Sequence, residues 1–259
     1  MGELDGRVAV ITGAGDGIGA ALARCFAREG ARVVVAELDP EKGKAVAEEL
    51  GDAGLFVRTD AGSKTDVESM VATAVEHWGT LDILVLNAWG GGTLSRIEQK
   101  PPAQMRHGLD LGFLGPFWTM QAALPTMKAN RYGRIISLCS LNGVNAHVGT
   151  VEYNASKEAL RAATRTAARE WAPYGIVANI LCPAARSAAF RDTMAAHPEL
   201  VAAADKANPM GRIGDCDEDI APVALFLASE GCRYLTGNTL FVDGGAHING
   251  SAWAPDLGD

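Results

Sequence analysis

The stretch "VAVITGAGDGIGAALARCFAREG", Val8–Gly30, decides the fold because it reads as a strand, a glycine-rich turn and the start of a helix. Gly13 permits the tight turn, Gly17 lets the backbone approach a phosphate, and Gly19 lets the helix pack close to the strand. A pyrophosphate would then meet the free N–H groups at the helix N-terminus. The pattern predicts a dinucleotide site. Its other candidate residues are Gly15, Asp16 and Ile18.

An acidic residue ends the next predicted strand. Glu37 closes "VVVAE", where a carboxylate can accept the ribose hydroxyls of NAD and would repel the 2′-phosphate of NADP. Asp16 adds a second negative charge, although it could also serve only as a helix N-cap, and no Lys or Arg follows Glu37 immediately. We therefore expect NAD rather than NADP. Asp60, with Ala61 after it, follows the third strand and is a candidate for holding the adenine amino group.

Short β-branched runs alternate with amphipathic stretches along the whole chain. Most of the runs are continuously apolar, as expected for parallel strands that are covered on both faces. The predicted strands are Val8–Thr12, Val33–Glu37, Gly54–Arg58, Ile83–Asn87, Arg134–Leu138, Val177–Leu181 and Thr239–Asp243. We expect an α/β fold over residues 1–259: a single-domain, Rossmann-like, doubly wound parallel sheet of about seven strands with helices on both faces.

The composition excludes several classes of partner. The chain has 259 residues, 48% of them hydrophobic, and a formal net charge of −8 without a cationic run, which argues against nucleic acid and anionic membranes. No apolar run approaches the roughly 18 residues that span a bilayer, and no signal peptide precedes the first strand. Five scattered cysteines and five scattered histidines form no metal-binding pattern. We expect a cytoplasmic protein without a metal site.

Tyr153 and Lys157 lie four residues apart, and therefore on one face of a predicted helix. An ammonium beside a phenol stabilises the phenolate and lowers a pKa that is otherwise about 10. Such a tyrosine can exchange a proton near neutral pH, as the interconversion of an alcohol and a ketone requires. Ser140 ends the preceding strand and could form a hydrogen bond to the same substrate oxygen.

Together these motifs resemble the classical short-chain dehydrogenase/reductase family over nearly the whole chain. The matching segments are Thr12–Gly19, Ser140 with Tyr153 and Lys157, Asn208–Ala221 and Tyr234–Gly245. The resemblance implies hydride transfer between NAD and a small-molecule alcohol or ketone. Tyr153 would be the general acid/base, Lys157 would also hold the nicotinamide ribose, and Ser140 would bind the substrate oxygen. Members of this family are commonly homotetramers, with the homodimer as the other expectation.

The chain departs from the family at two cofactor-binding segments. After the fourth strand, Asn87 and Ala88 match, but Trp89 replaces a glycine. After the sixth strand, Pro183 is followed by Ala184 rather than glycine. Beyond them, Arg186 and Ser187 are further cofactor candidates, and Ala188 stands where the family has a threonine.

A third departure lies in "LDLGFLGPFW", Leu109–Trp118, where two glycines and a proline interrupt a predicted helix. Gly112 stands where the family has a fourth catalytic residue, an asparagine whose main-chain carbonyl orders a water near the lysine. Glycine keeps that carbonyl and tolerates unusual backbone angles, so we retain Gly112 as a catalytic candidate. Alternatively, the proton relay through that ordered water to Lys157 is broken, and the protein is slow or inactive. Asp110 could fill the position only if the alignment shifts by two residues.

The substrate pocket should lie over the carboxyl ends of the strands. We expect its walls to come from Trp89, the loop 141–148 and a lid over about 184–210 that carries Phe190 and Met194. A tail over about 246–259 could fold over the site or stay unstructured. This pocket favours a bulky cyclic or aromatic secondary alcohol or ketone. Two alternatives remain open: an NAD-binding scaffold with weak or no redox turnover, in which Gly112→Asn would restore activity, and a lyase or dehydratase.

Overall fold

A parallel sheet of seven strands forms the centre of the computed structural model, which describes residues 2–188, 190–191 and 198–248. The strand order is β3-β2-β1-β4-β5-β6-β7. The strands are β1 Val8–Thr12, β2 Arg32–Glu37, β3 Gly54–Arg58, β4 Ile83–Leu86, β5 Gly133–Leu138, β6 Ile176–Pro183 and β7 Thr239–Val242. Every neighbouring pair is parallel. The predicted doubly wound α/β fold is confirmed, and the predicted strand ends are displaced by only a residue or two.

Helices connect the strands and cover both faces of the sheet. They are α1 Gly17–Arg28, α2 Pro40–Leu50, α3 Lys64–Trp78, α4 Pro102–Leu109, α5 Gly115–Asn130, α6 Leu141–Val144, α7 Val151–Trp171, α8 Pro198–Ala207 and α9 Ala221–Ala228. Local side chains fix where they begin. Asp39 accepts hydrogen bonds from two backbone N–H groups at the start of α2, and Ser63 caps α3 in the same way. None of the helices that the structure describes is long and apolar enough to cross a bilayer.

Alternate residues of each central strand pack on opposite faces of the sheet. In β1, Ala9 and Ile11 belong to the core under α1 and α9, whereas Val8 and Val10 belong to the core under α3, α5 and α7. Burying one such aliphatic side chain contributes about 1.5–3 kcal/mol, so both faces hold the strands in place. This two-sided burial is the physical reason why the strands are apolar without alternation.

The glycines and proline of "LDLGFLGPFW" form a break between α4 and α5. A single π-helical turn, Asp110–Leu114, separates the two helices, and Pro116 lies in the first turn of α5, where a missing N–H costs little. A Cβ atom on Gly115 would lie 1.7 Å from the carbonyl oxygen of Ala61. Only glycine therefore allows α5 to approach the turn after β3 so closely. The break is a packed structural feature.

Candidate active site

The glycine-rich turn after β1 depends on glycine at each predicted position. Gly13 and Gly17 have positive φ angles of 65° and 54°. A Cβ on Gly13 would lie 2.9 Å from Cα of Ala88, and one on Gly19 would lie 2.1 Å from the carbonyl oxygen of Gly13. Asp16 caps α1, since its Oδ1 accepts a 2.6 Å hydrogen bond from Gly17 N. Ile18 packs against the core beneath the turn.

Asn87 and Thr12 join the end of β4 to the end of β1. The Asn87 side chain donates to the carbonyl oxygens of Thr12 at 2.9 Å and Gly13 at 3.1 Å. In return, the Thr12 hydroxyl accepts from the backbone N–H groups of Asn87 and Ala88 at 3.0 and 3.1 Å. Thr12 begins the glycine-rich motif but is not among the predicted site residues. Its hydroxyl fixes the floor of the cofactor site.

The Glu37 carboxylate lies beside the glycine turn. Its Oε2 accepts a 3.0 Å hydrogen bond from Gly15 N, and its Oε1 accepts from Leu38 N at 2.8 Å and Asp39 N at 3.1 Å. Three backbone donors therefore hold a negative charge at the end of β2. This is the location at which the sequence predicts an acceptor for ribose hydroxyls.

The negative charge of Asp16 is paired with two cations. Arg191 contacts Oδ1 at 2.5 Å, and Nζ of Lys42 lies 3.3 Å from Oδ2. Burial alone would raise the pKa of Asp16, but the hydrogen bonds from Arg191, Gly17 and Lys42 lower it below the ordinary value. Lys42 was overlooked in the sequence because it does not follow Glu37 immediately. Asp16 thus repels an anion less than expected.

Asp60 and Ala61 form the turn at the end of β3. Oδ1 of Asp60 accepts a 2.9 Å hydrogen bond from Gly62 N, and the side chain is exposed at the same edge of the sheet as Glu37. The carbonyl oxygen of Ala61 faces Gly115. Asp60 is therefore available to a ligand, whereas Ala61 packs against α5.

The segment after β6 lies over the glycine turn. Ala184, which follows Pro183, donates its N–H to Val242 O at 2.9 Å. Further along, a Cβ on Gly17 would lie 2.8 Å from Ala188 N and 3.6 Å from the carbonyl carbon of Ser187. The two sides of the predicted cofactor crevice thus meet at the start of α1.

A polar cleft of about 180 Å³ opens at the N-terminus of α1. Its lining includes Gly15, Gly17, Arg186 and Arg191. Glycines without side chains leave room for a diphosphate, and two guanidinium groups can bind it. The lining also holds the carboxylates of Asp16, Asp215 and Asp217, and Asp16 and Glu37 accept from the N–H groups of Gly17 and Gly15. In this structure Arg186 pairs with Asp205 at 2.8 Å. The residues present therefore fit a dinucleotide cofactor.

Ser140, Tyr153 and Lys157 lie together at the carboxyl end of β5. Ser140 caps α6 by accepting a 3.1 Å hydrogen bond from Asn142 N. Tyr153 and Lys157 share one face of α7, with Nζ of Lys157 lying 5.7 Å from the centroid of the Tyr153 ring. Lys157 is buried and donates to Leu138 O at 2.7 Å.

The protonation of the tyrosine differs from the sequence prediction. Burial raises the pKa of Tyr153 to about 12, and the hydrogen bond with Ser140 opposes this shift only in part. Burial also lowers the pKa of Lys157. The prediction that the lysine ammonium lowers the pKa of the phenol is wrong for the protein alone. The ammonium points to the Leu138 carbonyl, and desolvation of the phenol is the larger effect.

Gly112 lies in the middle of the π-helical turn and is buried against α7. A Cβ at this position would lie 2.5 Å from Oγ of Ser156 and 2.9 Å from Cζ3 of Trp89. Gly112, rather than Asp110, is thus the residue that the turn packs against Ser156. The role of its carbonyl in a water relay stays a prediction.

Trp89 lies beside the catalytic candidates. Its ring contacts the ring of Tyr153 edge-on, with centroids 4.7 Å apart and an interplanar angle of 70°. Of the predicted lid, the structure describes the segment around Phe190 and helix α8. Met194 and the tail beyond Ile248 lie outside the described residues.

A buried ion pair near Tyr153 was not predicted. Nζ of Lys100 lies 2.8 Å from Oε2 of Glu152, and the two side chains are 1% and 3% exposed. Lys100 also donates to the carbonyl oxygens of Thr93 and, at 3.4 Å, Gly149. Lys100 lies in a loop whose sequence shows no hydrophobic periodicity. The only signal of this ion pair in the sequence is the position of Glu152 directly before Tyr153.

Comparison with known proteins agrees with this geometry. Residues 13–247 match the sequence model of a family described as enoyl-(acyl carrier protein) reductase. The chain is 38% identical over 256 residues to momilactone A synthase of Oryza sativa subsp. japonica, covering 97% of this chain and 93% of that protein. It is 36% identical over 252 residues to the 2,5-dichloro-2,5-cyclohexadiene-1,4-diol dehydrogenase LinX of Sphingobium indicum, covering 94% and 97%.

A solved structure of high similarity is that of 3-ketoacyl-(acyl-carrier-protein) reductase from Brucella melitensis complexed with NADH. The TM-score is 0.87 at 32% identity, covering 95% of this chain and 100% of that one. Sequence similarity over nearly the full length of known enzymes thus accompanies three structural features: the sheet order, the glycine turn, and the cluster of Ser140, Tyr153 and Lys157. The chain belongs to the short-chain dehydrogenase/reductase family of oxidoreductases.

Proposed function

We propose that the protein transfers a hydride between NAD(H) and a secondary alcohol or ketone, with Tyr153 as the general acid/base. One observation carries the proposal: Tyr153 lies with Ser140 and Lys157 at the carboxyl end of β5, with Nζ of Lys157 5.7 Å from the centroid of the Tyr153 ring. The glycine turn lies at the carboxyl end of β1 in the same parallel sheet. A dinucleotide bound at that turn would extend along the edge where ligands bind in such sheets.

The proton chemistry follows from the two hydroxyl groups. Ser140 would hold the substrate oxygen by a hydrogen bond, and the Tyr153 phenol would give its proton to that oxygen in ketone reduction or take it back in alcohol oxidation. The bound nicotinamide would supply or accept the hydride and, in its oxidised form, a positive charge. Because burial raises the pKa of Tyr153 to about 12, the neutral phenol predominates in the protein alone. That state is the proton donor for reduction.

The preference for NAD rests on Glu37. Its carboxylate, held by three backbone N–H groups, would face the 2′-phosphate of NADP at close range. Asp16 contributes less, since Lys42 and Arg191 pair with it. The related reductase from Brucella melitensis, described as a complex with NADH, supports the same choice.

Cofactor binding tests this preference without reference to turnover. We expect NADH to bind at least about tenfold more tightly than NADPH, a difference of about 1.4 kcal/mol. Glu37→Gln should reduce the ratio by improving NADPH binding, whereas Asp16→Asn, the matched control, should change it much less. Equal binding of the two cofactors by the unaltered protein would refute the assignment.

The substrate is proposed to be a bulky cyclic or aromatic secondary alcohol or ketone. The Trp89 ring beside Tyr153 gives the pocket an aromatic wall, and the relative LinX is named for a cyclic diol. The test is NADH oxidation across cyclic, aromatic and short aliphatic ketones, with Tyr153→Phe as the control. We expect turnover that favours the cyclic members and falls by about 10²–10⁴ in the variant.

Other outcomes identify the alternatives. Tight NADH binding without turnover on any ketone would indicate an NAD-binding scaffold, and a product formed without a change in NADH absorbance would indicate a lyase or dehydratase. For the assembly, we propose a cytoplasmic homotetramer, or a homodimer, of single-domain chains. Light scattering on the purified protein distinguishes these states by mass.

A further inference from the structure

The Trp89 side chain touches the catalytic candidates directly. Its indole ring packs edge-on against Tyr153 with centroids 4.7 Å apart, and Nζ of Lys157 lies 5.8 Å from its centroid. Aromatic rings prefer this edge-to-face arrangement, so the contact favours one orientation of the phenol. Trp89 is also one of the positions at which the chain departs from its family.

Gly112 lies on the other side of the indole. A Cβ at residue 112 would lie 2.9 Å from Cζ3 of Trp89, and 2.5 Å from Oγ and 2.8 Å from Cβ of Ser156. Any side chain there would displace either the indole or α7. Ser156 is the nearest neighbour of such a side chain, and the indole closes the space on the other side. That Gly112→Asn restores some turnover in an impaired enzyme stays a prediction, and this packing argues against it.

The loop that carries Trp89 is fixed to α7 at both ends. At its beginning Trp89 packs on Tyr153, and at its end Lys100 forms the buried ion pair with Glu152, the residue directly before Tyr153. Both contacts hold the loop against the helix that bears the tyrosine.

We propose that Trp89 is a positioning residue for Tyr153 and that Gly112 is the small residue that makes room for it. The inference rests on the proposed function and deepens it, because the phenol that Trp89 orients is the proposed proton donor. The two departures from the family would then form one compensating pair. The indole would also exclude water from one side of the phenol, which fits the desolvation that raises the pKa of Tyr153 to about 12.

The first test measures the phenol itself and needs no substrate. The near-ultraviolet absorbance of phenolate is followed against pH in the cofactor-free protein and in Trp89→Ala, each corrected with its Tyr153→Phe counterpart. The titration stops where circular dichroism no longer shows the native fold. Removing the indole should expose the phenol, so that Tyr153 ionises at lower pH in Trp89→Ala. Leu94→Ala, at an exposed position in the same loop, is the matched control and should titrate like the unaltered protein.

The second test asks whether the two residues compensate each other. Gly112→Asn alone should lower kcat on the order of 10²-fold, because it displaces the indole or the helix that bears the tyrosine. Trp89→Gly alone should lower kcat with a smaller change in KM, and Trp89→Phe, which keeps a ring, should retain most of the activity. The double variant Trp89→Gly/Gly112→Asn relieves the contact with the indole but not the one with Ser156, so it should recover part of the activity that Gly112→Asn loses.

The two tests separate failure of this inference from failure of the proposed function. An unchanged Tyr153 titration in folded Trp89→Ala would overturn the positioning role, whatever the enzyme does. A double variant no better than Gly112→Asn would overturn the compensation. If no ketone is reduced by the unaltered protein, the proposed function fails, while a shifted titration would still establish that Trp89 shields and orients the phenol.

Discussion

Replacing Glu152 by glutamine should strongly destabilise the protein. The carboxylate is 3% exposed, and Lys100, at 2.8 Å, is 1% exposed. Among the described residues, this ammonium is the only polar partner of Oε2, and its geometry is that of an ion pair rather than of a well-aligned hydrogen bond. Breaking a buried pair by removing one partner costs about 3–5 kcal/mol, because the remaining charge, here with only the carbonyl oxygens of Thr93 and Gly149 as partners in the described part of the chain, stays buried without a counter-charge.

The expected shift is large enough to measure by thermal unfolding. For a chain of this size, each kcal/mol corresponds to roughly 2–4 °C, so Glu152→Gln should lower Tm on the order of 10 °C. Lys100→Met should have a similar effect. The double variant Lys100→Met/Glu152→Leu removes both charges and keeps apolar volume, and it should recover most of the loss.

A solvent-exposed ion pair provides the matched control. Lys64 and Glu68 lie 2.6 Å apart on α3, with side chains 55% and 49% exposed. Such pairs contribute only about 0.3–0.5 kcal/mol, so Glu68→Gln should change Tm by no more than about 2 °C. Urea unfolding at fixed protein concentration checks the same differences. The reasoning is refuted if Glu152→Gln behaves like Glu68→Gln, or if the double variant is no more stable than the single one.

Three further predictions concern the site and its supports. Because the Tyr153 phenol has a pKa of about 12, the rate of ketone reduction should be flat across neutral pH, while the rate of alcohol oxidation should rise with pH. The cofactor-free fold should lose stability between about pH 10, near the ordinary tyrosine pKa, and about pH 12. In that range the unfolded chain ionises and the folded one does not. PH–rate profiles and pH-dependent unfolding check these trends. Gly115→Ala should cost about 3 kcal/mol or more, since its Cβ would clash with the Ala61 carbonyl, whereas Gly90→Ala has open space and should be nearly neutral in urea unfolding. Thr12→Val leaves the N–H groups of Asn87 and Ala88 without their acceptor and should lower the free energy of unfolding by about 2 kcal/mol or more. Thr12→Ser keeps the hydroxyl and should lower it by about half as much or less in the same assay.

The fold was predictable from the sequence because its strands are buried on both faces. Apolar runs, most of them continuous, marked all seven strands, and the glycine turn marked where the first helix begins. Boundaries were less predictable where no capping signal exists. Helix α7 begins at Val151, and Thr150 before it forms no side-chain cap, so no capping residue marks this boundary in the sequence. The broken helix around Gly112 was recognisable from its glycines and proline alone.

The contacts between distant residues were not predictable. Lys42 pairs with Asp16 because α2 returns beside the glycine turn, although the two residues are far apart in the chain. Lys100 meets Glu152 in the same way, through the packing of a loop on α7. A local pattern carries no information about such pairs. The pKa of Tyr153 was also mispredicted, because the effect of burial depends on the residues that surround the phenol and not on the spacing of tyrosine and lysine.

The departures from the family are best understood as a pair rather than as separate losses. Taken alone, glycine at position 112 looks like a missing catalytic side chain, and tryptophan at position 89 looks like an obstruction beside the cofactor. In the structure a Cβ at Gly112 would lie against both Ser156 and the indole of Trp89, and the indole contacts the ring of Tyr153. A site that had merely lost its asparagine would contain a cavity next to the tyrosine, which tightly packed interiors do not tolerate without cost. Here an aromatic ring lies beside Tyr153 and Lys157, with centroids 4.7 Å apart for the two rings. We would expect this arrangement if Trp89 replaced the missing side chain as the group that packs against Tyr153. It therefore favours the proposal of a working oxidoreductase over that of an inactive scaffold.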